Sequence, residues 1–308
     1  MSWKRGNRLR LVREQEAPPE TRAIYEELKE AVGLPYVSVV LQSYASFPHF
    51  LPLFWQRFQP VLQHPRFFEL CDRLRAEAYT RAHNYFYLPD LASSLQSLNF
   101  SEGAREELKD TTEQFYYAHP LFLILVVAQQ QAFDGQVGTT VPPSGPTEHP
   151  RFDRKPVLVD DESATPGTNK IFEEMKREFD VPLVSNEFRA LARWPDFLRK
   201  YWSLLHPLLS SPLYQECQYG VRETAWSLAR ELPGPIELTV AQMAEAGMNE
   251  DDIASVVRLT QAFTRALSGS ILNNAIAKIG LEGGNRPRIQ LEEAAPKESI
   301  PSAPIRAA

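Results

Sequence analysis

Several protein classes are excluded by what this 308-residue chain has little of. Cysteine occurs only at Cys71 and Cys217, too few and too unpatterned for a disulfide framework or a cysteine zinc site. The six histidines are scattered, and no two lie three or four residues apart, so no helical metal pair is spelled out. There is no G-x-G-x-x-G, P-loop, G-x-S-x-G or H-E-x-x-H, so neither cofactor nor metal is called for. Long apolar runs are missing as well. The longest, LFLILVVA at 121–128, is far short of the roughly 20 residues that span a bilayer and suits a buried helix. Basic charge is in deficit, with a net charge of −6, which argues against a nucleic-acid partner. The basic start KRGNRLRLVR reads as a solvated edge, and no apolar leader follows it. The expectation is a cytoplasmic protein with reduced thiols, and neither a membrane nor a nucleic acid is expected as a partner. Period-two alternation is scarce: only LRLV (9–12) and KPVLVD (155–160) suggest short extended pieces.

What is present is a repeat. Residues 24–70 align without a gap on 171–217, an offset of 147, with Ile24/Ile171, Glu27/Glu174, Lys29/Lys176, Ser38/Ser185 and Trp55/Trp202 identical. Four prolines match too, Pro35/Pro182, Pro48/Pro195, Pro60/Pro207 and Pro65/Pro212, each fixing a turn or a helix start. Ile171, Met175 and Phe179 form an apolar stripe at helical spacing, and Ile24, Leu28 and Val32 repeat it. The residue before Pro182 is pushed out of the α region, so that helix is expected to stop near Asp180. Ser185 or Asn186 can then cap a short helix, EFRALAR, and Pro195 starts the next. The expected fold is all-α, with an internal duplication forming an intrachain pseudodimer and a cleft between its halves. Ligand sites favour such interfaces. Residues 1–140 form the first unit, 141–156 a Pro-rich linker, 157–279 the second unit, and 280–308 a tail too polar to pack.

The later parts correspond less closely. Pairing Phe115 with Phe263 sets His119 opposite Leu267. His64, His119, His149 and His206 each precede a proline, which reads as a loop or a helix start. One asymmetry stands out: Asn186 occupies the place that Val39 holds in the first copy.

Three stretches carry a resemblance: LVSNEFRALARWPDFL (183–198), FYYAHP (115–120) and LSGSILN (267–273). Over roughly Arg10 to Lys278 the chain resembles the group I 2-haloacid dehalogenases of the DehI type. The resemblance implies an all-α pseudodimer with an active site between its halves. It implies hydrolysis of the carbon–halogen bond of short 2-haloalkanoic acids without cofactor or covalent ester. A carboxylate activates water, an asparagine positions it, and C2 inverts. The aspartate of the family pattern falls on Asn186, its asparagine on His119 and its tryptophan on Tyr36, while Ser185 is kept with Ser38 as its repeat mate.

An amide cannot take a proton from water, so Asn186 cannot be the general base. In one reading the roles are exchanged: His119 becomes the base and Asn186 orients the water, both as catalytic residues. Tyr36, Ser38, Val39 and Ser185 would then line the substrate site. Arg265, or Arg193, would pair with the carboxylate of the small-molecule partner. In the other reading the chain is an inactive or repurposed scaffold that binds a small carboxylate or another ligand. Asn186 is then a helix cap and His119 a satisfied core residue. Association into a homodimer is left open.

Overall fold

Helix-starting prolines and capping hydroxyls set most of the element boundaries in this computed structural model, which describes residues 10–98, 100–140, 148–179 and 183–286. The first half contains α1 (Pro19–Val32), α2 (Val39–Tyr44), α3 (Phe50–Leu62), α4 (Pro65–Tyr85), α5 (Leu91–Ser97) and α6 (Glu102–Ala132). The second contains α7 (Pro166–Glu178), α8 (Asn186–Leu191), α9 (Pro195–Leu209), α10 (Pro212–Ala229), α11 (Val240–Glu245) and α12 (Glu250–Leu281). Among the described residues there is no strand, only isolated bridges. The protein is all-α.

The same order of helices recurs, and so do particular contacts at an offset of 147. Trp55 Nε1 donates to Glu27 Oε2 at 2.6 Å, and Trp202 Nε1 to Glu174 Oε2 at 2.9 Å. Lys29 pairs with Glu14 and Glu26, and Lys176 with Asp161 and Glu173. The Val12 N–H meets Gln42 O, and the Val159 N–H meets Arg189 O, each at 3.0 Å. The two segments expected as extended pieces therefore make single backbone bonds to α2 and α8 rather than strands. A lone segment with no neighbouring strand has no ladder to join.

The long helices α6 and α12, each about 46 Å by its rise per residue, run against one another through the centre, flanked by α4 and α10. Residues 114–129 of α6 are buried on every side, which is why LFLILVVA has no polar face. The buried apolar residues of both halves join in one contiguous cluster.

Three expectations are corrected. His119 and His206 are not at loops or helix starts, because Pro120 and Pro207 lie inside α6 and α9. Burial along both helices outweighs the backbone bond that each proline forfeits. The chain does not leave the fold at residue 280: α12 runs to Leu281, and Asn285 exchanges backbone bonds with Leu88. Residues 287–308 of the expected tail lie outside the described residues, as do Asp180 and linker positions 141–147. The rest of the linker is docked on the first half. The Phe152 N–H bonds Gly33 O at 3.0 Å, and His149 stacks on Phe68. Gly33, which ends α1 at φ 68°, also passes so close that a Cβ there would meet Pro150 O at 2.3 Å.

Among the described residues no helix is long and apolar enough to cross a membrane.

Candidate functional site

Where α6, α8 and α12 meet, three polar side chains are buried together. His119 of α6 is 8% exposed, Glu187 of α8 is 2% and Asn274 of α12 is 5%. His119 Nε2 lies 2.9 Å from Glu187 Oε2, and Nδ1 lies 3.0 Å from Asn274 Nδ2. The same amide nitrogen donates to Ser270 O at 2.8 Å. A carbonyl only accepts, so this bond fixes which way round the Asn274 amide sits. Its nitrogen then faces Nδ1, which must accept. The contact is a hydrogen bond when the ring carries its proton on Nε2, toward Glu187, and accepts at Nδ1.

The Glu187 carboxylate is the exceptional group. His119 is at ion-pair distance, yet the approach is off the axis of a hydrogen bond, and both carboxylate oxygens lack a hydrogen-bond partner among the described residues. Burying a charge so poorly solvated costs several kcal/mol. The Ser185 hydroxyl, two residues earlier, is also buried and unpartnered. Unsatisfied polar groups of this kind mark sites kept for something other than stability.

Aromatic rings wall the carboxylate. Burial, and secondarily the charge of Glu187, raises the hydroxyls of Tyr36, Tyr201 and Tyr214 well above the ordinary tyrosine range. The Tyr201 hydroxyl donates to Asn273 O and the Tyr214 hydroxyl to Asn273 Oδ1, both at 2.6 Å. These donors are thereby held away from Glu187. Tyr36 packs on Phe115, which stacks on His119.

Of the expected site residues, His119 and Tyr36 come together here. Asn186 makes no hydrogen bond to His119. Its Oδ1 accepts from Arg189 Nη1 at 3.4 Å, and Arg189 in turn pairs with Asp160. The cause is helical geometry: one residue along α8 turns the side chain by about 100°, so Asn186 and Glu187 face different ways. Ser185 is the N-cap residue of α8 but makes no cap bond, whereas Ser38 caps α2 through the Leu41 N–H and Val39 follows it as the first helical residue. Arg265 is exposed and precedes Asn274 by nine residues on α12. It therefore lies about 13 Å away along the axis and on the opposite face. Arg193 pairs with Glu107 and lies over Trp194.

Glu187, Asn274, Asn273, Tyr201 and Tyr214 were missed by sequence reasoning, but a signal existed. In the repeat frame Glu187 stands opposite Val40, Tyr201 opposite Phe54 and Tyr214 opposite Phe67. With the later offset, His119 stands opposite Leu267 and Asn274 opposite Val126. Each of these five polar residues has an apolar mate in the other half, whereas Ser185 has Ser38.

A groove of about 380 Å³ lies elsewhere, bounded by Gln114, Phe152, Lys155, Ala190 and Trp194. It touches α8 at Ala190, one turn beyond Glu187, and Glu187 itself does not line it. No three His, Cys, Asp or Glu side chains among the described residues are grouped to hold a metal.

The family model described as "Halocarboxylic acid dehydrogenase DehI" matches residues 35–188. The chain belongs to the DehI family. It is similar to an (R)-2-haloacid dehalogenase of Pseudomonas putida, 24% identical over 86% of this chain and 90% of that protein. It is also 26% identical to an (R)-2-haloacid dehalogenase of Rhizobium sp. (strain NHG3), over 75% of this chain and 90% of the relative. A configuration-inverting 2-haloacid dehalogenase of Alcaligenes xylosoxydans xylosoxydans is 25% identical over 87% and 93%. Among solved structures, a D-2-haloacid dehalogenase with L-LA superposes at TM-score 0.86 and 23% identity, covering 91% of this chain and 99% of the other. A mutant of a D-2-haloacid dehalogenase with D-2-CPA gives 0.85, covering 90% and 97%. These structural likenesses establish a common DehI-type fold.

Proposed function

We propose that this chain is a cofactor-independent 2-haloacid dehalogenase in which Glu187 is the general base and His119 holds it in place. The observation that carries the reading is the buried carboxylate with unpartnered oxygens beside His119. A water bound to Glu187 Oε1 gives up a proton to the carboxylate as its oxygen attacks C2 of the substrate. The carbon–halogen bond breaks with its electron pair leaving on the halide, C2 inverts, and a 2-hydroxy acid results. His119 Nε2 stands 2.9 Å from the other carboxylate oxygen and flanks it without a formed hydrogen bond. The supporting relatives are 2-haloacid dehalogenases, one of them named as configuration-inverting.

This assigns the roles differently from an exchange between His119 and Asn186. Nδ1 of His119 faces the Asn274 amide and Nε2 faces Glu187, so neither ring nitrogen is free to take a water proton. Asn186 is engaged by Arg189. A carboxylate and a side-chain N–H remain, the two functions such a hydrolysis requires.

Halide release from D- and L-2-chloropropionate by the purified protein is the test, with a single turnover in ¹⁸O water. Label is expected in the hydroxy acid and none in Glu187. Glu187→Gln, which removes the base, is expected to lower kcat by about 10²- to 10⁴-fold. Label in the glutamate would replace direct water attack with an ester route. Thermal stabilisation by small carboxylates without halide release from either enantiomer would leave only ligand binding.

A further inference from the structure

Asn274 touches neither oxygen of Glu187, yet its contacts govern what His119 presents to that carboxylate. One amide hydrogen is committed to Ser270 O at 2.8 Å, one turn back on α12, which leaves the other directed at His119 Nδ1 at 3.0 Å. The bond is buried at both ends, so water does not offer the ring an alternative partner. The adjacent Asn273 takes the hydroxyls of Tyr201 and Tyr214. These two residues of α12 thus divide the work: Asn273 keeps tyrosine donors off Glu187, and Asn274 orients the one ring N–H that faces it.

We propose that Asn274 is a positioning residue that locks His119 in the tautomer with its proton on Nε2, and that turnover depends on this lock. The kinetic half rests on the dehalogenase reading above; the tautomer is a property of the resting protein. With the proton on Nδ1, a nitrogen lone pair would face Glu187 Oε2 across 2.9 Å. The carboxylate would be pushed from its place, and the bound water with it. A histidine held in the wrong tautomer by its partner loses function even where the geometry is intact.

The test reads the ring directly. In protein carrying ¹⁵N-labelled histidine, the His119 signals are assigned by their loss in His119→Gln. The parent is expected to show a protonated Nε2 and an unprotonated, hydrogen-bonded Nδ1. Asn274→Asp is nearly isosteric but replaces the donor with an acceptor, and a proton is expected on Nδ1. Asn274→Leu keeps the bulk without a donor, and a mixture of tautomers is expected. In both variants kcat for halide release falls on the order of 10²-fold, as for a misplaced reacting group, with KM nearly unchanged. A proton on Nδ1 in the parent overturns the proposal, and that measurement needs no variant to fold. Asn274→Asp keeping the parent tautomer and kcat overturns it as well. Absence of halide release in the parent counts against the dehalogenase reading alone, and the ring signals then decide the role of Asn274 by themselves.

Discussion

Asn186 and Glu187 are neighbours on a helix of six residues, and that single step separates a part-buried hydrogen bond from a buried carboxylate. The difference makes a prediction at the residue scale. Asn186→Ala removes one partly solvated bond at 3.4 Å to Arg189, and halide release should stay within about twofold of the parent, as for surface changes. A loss on the scale of Glu187→Gln would return Asn186 to the reacting centre. The family pattern points to Asn186 because it aligns sequence positions, whereas the proposed base is chosen by which side chain is buried beside His119. Comparing each half with its mate supplies what the pattern lacks: Glu187, His119, Asn274, Tyr201 and Tyr214 are polar where the mates are Val40, Leu267, Val126, Phe54 and Phe67. The contact between His119 and Asn274 was not legible at all, because it joins residues 155 apart in the chain.

Between elements, the docking of helices relies on a few charged hydrogen bonds. Trp55 joins α3 to α1 through Glu27, and Trp202 joins α9 to α7 through Glu174. Each bond has a charged acceptor and a buried indole, so Trp→Phe should cost about 1–3 kcal/mol at either place. Urea denaturation checks this, and the two losses should add in the double variant. A negligible loss at one of them would mean that the two helix pairs dock by different means. Glu14 plays a comparable part for the N-terminal segment, reaching Lys155 of the linker, the Val37 N–H ahead of α2, and Lys29 of α1. Burial pushes its carboxyl up, but these three partners pull it below the ordinary carboxylate range. Because the folded value is depressed, the ionised form is the stabilising one. Its contribution is complete above the ordinary value near ~4.3 and is lost as pH falls through the folded value. Glu14→Gln should therefore lower Tm at neutral pH, with the gap from the parent closing below about pH 4. A gap that persists unchanged in strong acid would show that shape rather than charge is at work.

For the whole molecule, the helical class and the order of elements were readable from four matched prolines and the spacing of apolar residues. The extent of each unit was less so. A linker rich in proline reads as a divider, yet Phe152, Arg154 and Lys155 are bonded to the first half through Gly33, Gln114 and Glu14. The tail boundary failed similarly, because Asn285 pairs with Leu88, and such pairing across about 200 residues leaves no local signal. More consequential is that α6 and α12 bury each other. Residues 114–129 of α6 have no exposed face to turn toward water, so the first half alone would present the whole apolar run of 121–128. Folding should then be one event for the entire chain rather than one for each unit. Calorimetry is expected to give a single unfolding transition with matching calorimetric and van't Hoff enthalpies, the signature of a cooperative unit. Two resolved transitions would mean that each half holds a core of its own, and the proposed catalytic seam between α6, α8 and α12 would then be a contact between domains. A single transition places His119, Glu187 and Asn274 inside one cooperative core, so that a change at any of the three is felt by the stability of the whole chain.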